Sequence, residues 1–149
     1  MTLFSLANKT AIVTGACGLI GRQHCAALAE AGANVVVADL NAEAAAAVAS
    51  GLGGGPHLAL TVDVTSPESL AAARDQIMAR FGHIDVLVNN AAINDMFENP
   101  ALVADLSKFE NFPLATFRQV LEVNVTGVFL AAQVLARPWR GRVAAASST

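Results

Sequence analysis

The stretch Lys9-Thr-Ala-Ile-Val-Thr-Gly-Ala-Cys-Gly-Leu-Ile-Gly21 joins a short β-branched run to three glycines, and helix-forming residues follow it from Gly18 to Ala31. Lys9 to Thr14 reads as a strand that breaks at Gly15, and Gly32 closes the helix as a C-terminal cap. Glycines between a buried strand and a helix let the backbone turn tightly and approach a pyrophosphate. The helix N-terminus then meets the anion with free N–H groups and its positive dipole end. Taken alone, the same glycines fit a plain tight turn.

Outward from this turn, short apolar runs alternate with alanine-rich segments. Asn34 to Asp39 is a continuous apolar run, the mark of a strand covered on both faces. Asn41 caps a helix that runs through six alanines to Ser50, and Gly51 to Pro56 forms a flexible loop. His57 to Asp63 is a third strand. Ser66-Pro67-Glu68 then opens a helix with a capping hydroxyl, a first-turn proline and a first-turn acid, ending near Gly82. Ile84 to Asn89 is a fourth strand. Ile93 to Phe112 reads as a long loop with a short helix around Leu102 to Leu106. A long helix covers Leu114 to about Leu135, stopping before Pro138, and Arg142 to Ser147 makes a fifth strand. This alternation predicts an α/β fold, a Rossmann-like doubly wound parallel sheet of about five strands, formed by residues 1–149 as one dinucleotide-binding domain.

Composition narrows the function classes. Of 149 residues, 54% are hydrophobic and 14% charged, which excludes a disordered chain. A net charge of −3 gives no electrostatic reason to expect nucleic acid. Two cysteines, Cys17 and Cys25, cannot build a disulfide scaffold and fit a reducing compartment. Charge or turn signals interrupt every apolar run short of the ~20 residues a membrane span needs. Met1 to Lys9 carries no secretory signal, so the expected location is the cytoplasm. Cys17, His24 and Cys25 lack metal-ligand spacing, and one of His24 and Cys25 should face the core; no metal is expected. His57 and His83 flank strands and read as surface residues.

Asp39, followed by Leu40, ends the second strand 18 residues after Gly21. A carboxylate there can accept hydrogen bonds from both hydroxyls of an adenosine ribose; the plainer reading is an acidic helix cap. No lysine or arginine adjoins it to neutralise a 2′-phosphate. Two like charges ~4 Å apart at an effective dielectric of ~20 repel by ~4 kcal/mol, so NAD is the expected cofactor.

Thr14 to Gly21, Asp39, Asp63-Val64, Asn89-Asn90-Ala91-Ala92, Asn124 within Val123-Asn-Val-Thr-Gly127, and Ser147-Ser148 follow one another in a specific order. In that order and spacing the chain resembles the short-chain dehydrogenase/reductase superfamily over nearly its whole length. The resemblance implies cofactor contacts at Gly15, Cys17, Gly18, Leu19, Ile20, Gly21, Asp39 and Leu40, with Asp63 and Val64 holding the adenine ring. It implies that Asn90, Ala91 and Ala92 stabilise the central strand and line the nicotinamide-ribose side. Asn124 is similar to the family's catalytic asparagine, which anchors a water in a proton relay; Ser148 is similar to the serine that hydrogen-bonds the substrate oxygen. Taken singly, Asp63 also fits a helix-capping acid, Asn124 a helix kink and Ser148 a strand-end turn. The implied reaction is reversible hydride transfer between nicotinamide and a small alcohol or carbonyl compound, and relatives of this kind are commonly homo-oligomers.

The chain departs from the family pattern in several places. Its glycine spacing is Gly15-x-x-Gly18-x-x-Gly21, with Leu19 in a usual glycine place, which is more similar to the epimerase and dehydratase branch that works on sugar nucleotides. The loop from Asn94 to Phe112 is long, and its Met96, Phe97, Phe109 and Phe112 either line an apolar pocket or pack. The family's proton donor is a tyrosine about a dozen residues past the serine, with a lysine four later. The sequence contains no tyrosine, and neither Lys9 nor Lys108 is placed to substitute. The resemblance therefore implies the N-terminal, cofactor-binding portion of the fold, with little activity of its own, or a nucleotide-binding module without catalysis. A fifth strand left at the sheet edge would invite association.

Overall fold

A computed structural model of the chain describes residues 4–94 and 108–139. The strands are β1 (Thr10–Thr14), β2 (Asn34–Asp39), β3 (Leu58–Thr61) and β4 (Val86–Val88). The helices are α1 (Leu19–Glu30), α2 (Ala42–Gly51), α3 (Pro67–Phe81), α4 (Leu114–Leu121) and α5 (Gly127–Leu135), the last two joined by a π-helical segment, Glu122–Thr126.

Successive side chains of a strand point to opposite faces, so an unbroken apolar strand needs cover on both. In β2, Val35 and Val37 join Ala11 and Val13 of β1 in a core closed by Cys25 and Ala29 of α1 and Ala45 of α2. Val36 and Ala38 face the other way. They pack with Ile12 and Leu60 against Leu70, Ala73 and Ile77 of α3 and Ala131, Val134 and Leu135 of α5. The result is a Rossmann-like parallel sheet with helices on both faces, in the strand order β3-β2-β1-β4. The order runs outward from β1 to β3 and then returns to place β4 on the far side of β1. Winding therefore reverses between β1 and β4, and the crevice outside their carboxyl ends is where this architecture binds ligands.

Local signals account for most boundaries. The Asn41 side chain accepts from Ala44 N at 2.9 Å and caps α2; Ser66 Oγ accepts from Ser69 N at 3.1 Å and caps α3, with Pro67 at the first helical position. Strand ends are shorter than expected because side chains replace backbone pairing. His57 is not a free surface residue: its Nδ1 accepts from Val35 N at 3.1 Å while Nε2 lies 3.1 Å from Gly53 O. The imidazole thus stands in for strand backbone and pins the glycine-rich loop. His83 is half-buried, with Nδ1 2.8 Å from Asp85 Oδ2.

The expected long helix is helical throughout but not uniform. Its α-helical pattern widens at the π segment and closes at Leu135, and one further turn carries the chain through Pro138 to Trp139. Proline fits there because a first-turn N–H would be unbonded anyway. Trp139 Nε1 donates to Ile84 O at 2.6 Å, tying the helix end to the start of β4. By length and composition alone, Leu114–Trp139 is long and apolar enough to cross a bilayer, which the sequence reading did not anticipate. The buried Ala131, Val134 and Leu135 account for part of that apolarity by packing against α3.

Phe109 is 96% exposed in a short 3-10 turn, so it does not pack. The expected helix at Leu102 to Leu106, the side chains of Met96 and Phe97, and the fifth strand from Arg142 to Ser147 lie outside the described residues.

Cys25 is the α1 residue that faces the core, and burial pushes its thiol up to about 11 from 9.0. A raised folded value means the neutral thiol is favoured in the fold. Its contribution is complete below pH 9.0 and is lost as pH rises towards 11, about 2–3 kcal/mol in all. No tyrosine titrates in the same window. Urea unfolding of wild type and Cys25→Ala at pH 8 and pH 11 should show a larger pH-dependent loss in wild type, since the raised Cys17 thiol remains in both proteins. An equal loss in both proteins contradicts the assignment.

Candidate functional site

The carboxyl ends of β1 and β4 are joined by two side chains. Thr14 is 1% exposed and, as a buried hydroxyl, requires partners. Its Oγ1 accepts from Asn90 N (3.2 Å) and Ala91 N (3.1 Å) and lies 3.4 Å from Val88 O. Asn90 Nδ2 donates to Thr14 O (3.0 Å) and Gly15 O (2.9 Å). Asn90 and Ala91 thus tie the end of β4 to the end of β1. Thr14 is a residue to which the sequence reading gave no role, although a hydroxyl ending a buried strand was a signal that it must be bonded.

The glycine turn is shaped by this tie. Gly15 has φ +60°, and a Cβ on it would lie 2.7 Å from Ala91 Cα. Gly21 packs against the turn below it, where a Cβ would lie 2.8 Å from Ala16 Cα and also meet Gly15 O. Gly18 is different: its nearest neighbour is Gly15 O at 3.5 Å, so the chain itself does not demand glycine there. Gly18 is the N-cap of α1 and no side chain caps that helix. Its first-turn residues Leu19 and Ile20 are exposed, which leaves the positive dipole end of α1 at the protein surface.

Asp39 reaches back over the turn. Its Oδ2 accepts from Cys17 N at 2.9 Å and its Oδ1 from Asn41 N at 3.1 Å. Asn41, not Asp39, caps α2, which removes the plainer reading of this acid. Leu40 beside it is exposed. The Cys17 thiol is raised above its ordinary value by burial first, then by the Asp39 carboxylate beside it; the Arg22 guanidinium opposes weakly. Arg22 Nε also donates to Cys17 O at 2.8 Å, fixing the turn from the helix side.

Asp63 turns into its own loop, its Oδ1 accepting from Thr65 N (2.8 Å) and Thr65 Oγ1 (2.7 Å), while Asp63 N donates to Ser69 Oγ at 3.0 Å. Ser66 caps α3, so Asp63 is not the capping acid. Val64 is buried against Gly127 of α5.

Asn124 sits inside the π segment, a feature often found at functional positions. Its amide forms a two-way clamp: Oδ1 accepts from Ile93 N at 2.9 Å, and Nδ2 donates to Ile93 O at 3.1 Å. The helix irregularity and the side-chain role thus coincide at one residue. Sequence reasoning missed Ile93, because the partner is backbone and leaves no side-chain signature. Ala92 is exposed beside the clamp. Ser148 lies outside the described residues. Among the described residues no group of histidine, cysteine or acid side chains could hold a metal ion.

The glycine turn, Asp39, the β4 end and Asn124 thus gather at the carboxyl ends of the strands, and known proteins resemble the chain as a whole. The family model described as short chain dehydrogenase matches residues 9–149. A short chain dehydrogenase/reductase of Macrophomina phaseolina is 41% identical over 136 residues, 89% of this chain and 73% of its own length. D-threitol dehydrogenase of Mycolicibacterium smegmatis is 39% identical over 136 residues, 90% of this chain and 48% of its own. The crystal structure of an oxidoreductase from Haemophilus influenza with bound NAD superposes with a TM-score of 0.78 at 32% identity, covering 89% of this chain and 51% of that one. The chain thus spans about half the length of several relatives it matches. With a family model matched from Lys9 to Thr149, this chain belongs to the short-chain dehydrogenases.

Proposed function

We propose that residues 1–149 form the NAD-binding part of an oxidoreductase that moves hydride between nicotinamide and an alcohol or carbonyl carbon. Asp39 carries this reading. Each of its carboxylate oxygens accepts one backbone N–H, which leaves a lone pair on each for the two hydroxyls of an adenosine ribose. A 2′-phosphate in that place would bring like charges about 4 Å apart, a repulsion of about 4 kcal/mol at a dielectric of 20, so NAD is preferred to NADP. The bound NAD of the Haemophilus influenza relative supports the same choice.

NAD fits the residues present and, when bound, would supply the hydride acceptor. Gly15 to Gly21 with the α1 N-terminus would hold its pyrophosphate, Asp63 and Val64 its adenine, and Asn90 to Ala92 its nicotinamide-ribose side. Asn124 anchors a water for proton transfer, and Ser148 binds the substrate oxygen; no metal is needed. A secondary alcohol or the matching ketone is the substrate class, in line with the name of the D-threitol dehydrogenase relative. The two free cysteines suit the cytoplasm. Leu114, Phe117, Leu121, Val125, Val128 and Phe129 leave an exposed apolar stripe at three- and four-residue spacing, which supports assembly with a second copy. Sedimentation as a lone monomer would count against that assembly.

The 149 residues contain no tyrosine, so they lack the family's proton donor. Assayed by themselves with NAD and a panel of polyols and alicyclic secondary alcohols, they should bind NAD and form no NADH; robust turnover overturns the reading. Coding DNA read past Thr149 should show a tyrosine about a dozen codons after Ser148 and a lysine four later. A stop codon there would favour a binding module.

A further inference from the structure

Gly127 opens α5 directly above Val64, and the two leave no room for a methyl group. A Cβ on Gly127 would lie 2.8 Å from Val64 Cγ2, 3.2 Å from Val64 Cβ and 3.6 Å from Val64 O. The first of these distances is one that real Cβ atoms do not adopt, so a side chain at this position forces something to move.

Which partner moves is decided by how each is held. Val64 lies in a loop fixed on both sides. Val62 N donates to Asp39 O at 2.9 Å, Asp63 N is held by Ser69 Oγ, and Thr65 is bonded twice to Asp63. Val64 is itself buried, with Val62 in the core below the loop. On the helix side, Gly127 follows the π segment, where the regular α-helical ladder is already interrupted. The interrupted element is the one that carries Asn124, three residues upstream.

We propose that Gly127 is a positioning residue: its missing side chain sets the depth at which the Asn124 helix seats on Val64. The contact thereby fixes the separation between the loop on the adenine side and the Asn124–Ile93 clamp on the nicotinamide side. The role at these two ends rests on the proposed NAD reading; the steric device does not. Alanine is ordinarily the better helix former, so Gly127→Ala would strengthen α5 were it not for Val64. The added methyl lifts the helix away, and the clamp on Ile93 loosens.

Amide exchange tests this without needing turnover. In Gly127→Ala the Ile93 N–H, held by Asn124 Oδ1, should exchange about tenfold faster, the loss of roughly one net hydrogen bond, while amides in the middle of α3 keep their protection. Adding Val64→Ala removes the nearest contact and should restore most of the Ile93 protection. A general loss of packing would not be repaired by making a second cavity. If Gly127→Ala does not fold, folding regained in the Gly127→Ala/Val64→Ala double variant supports the same contact. An unchanged Ile93 amide in a folded Gly127→Ala protein, or a double variant no better than the single one, overturns it. NAD affinity of the same proteins separates the two proposals. A wild type that binds no NAD defeats the cofactor reading alone, and an unresponsive Ile93 defeats the positioning role alone.

Discussion

Gly15→Ala is expected to lower stability by about 3 kcal/mol and to abolish NAD binding. The left-handed conformation at φ +60° costs a non-glycine residue about 1–2 kcal/mol. The new Cβ also lands 2.7 Å from Ala91 Cα, a backbone atom that cannot rotate aside. The ends of β1 and β4 must part, which stretches the Asn90 bonds to Thr14 O and Gly15 O, each contributing about 1 kcal/mol net. Gly18→Ala is the control, because its nearest neighbour is at 3.5 Å and its φ of −69° suits any residue; its stability should change by less than about 1 kcal/mol. Urea unfolding of the two variants checks the contrast. Equal stabilities would mean that the tie between β1 and β4 does not shape the turn.

Asp39→Asn should bring NAD and NADP affinities closer together by about two to three orders of magnitude. Asparagine keeps an acceptor for Cys17 N, trades the oxygen that accepts from Asn41 N for an amide donor, and removes the charge that would repel a 2′-phosphate, about 4 kcal/mol at the assumed separation and dielectric. The same change has a readout that needs no cofactor. Burial and the Asp39 carboxylate both raise the Cys17 thiol, so removing the charge lowers it. The thiolate fraction at pH 8 then rises, and alkylation of Cys17 by iodoacetamide should accelerate relative to wild type. An unchanged alkylation rate would place the carboxylate away from the thiol.

How much of this was legible in the sequence depended on the distance over which each residue acts. The Asn41 and Ser66 caps, the apolar β2 and the Gly15 turn were readable because each is decided by neighbours a few residues away. The place of Asp39 beside the glycine turn was readable from its position at the end of a strand. His57 bonding Val35, Asn124 clamping Ile93 and Trp139 bonding Ile84 were not, because each partner is a backbone group 22 to 55 residues away. The π segment was legible only as the helix-kink alternative at Asn124, since Glu122 to Thr126 carries no glycine or proline to announce a break. Gly127 looked like an ordinary member of a motif until Val64 was found against it.

In the proposed reading, Asp39 and the glycine turn decide between the two cofactors. Calorimetric titration of the wild-type chain with NAD and with NADP, at one ionic strength, reads that choice. NAD is expected to bind at least about a hundredfold tighter than NADP, the lower end of the charge repulsion estimated above. NADP bound as tightly as NAD, or a folded protein that binds neither, would contradict it.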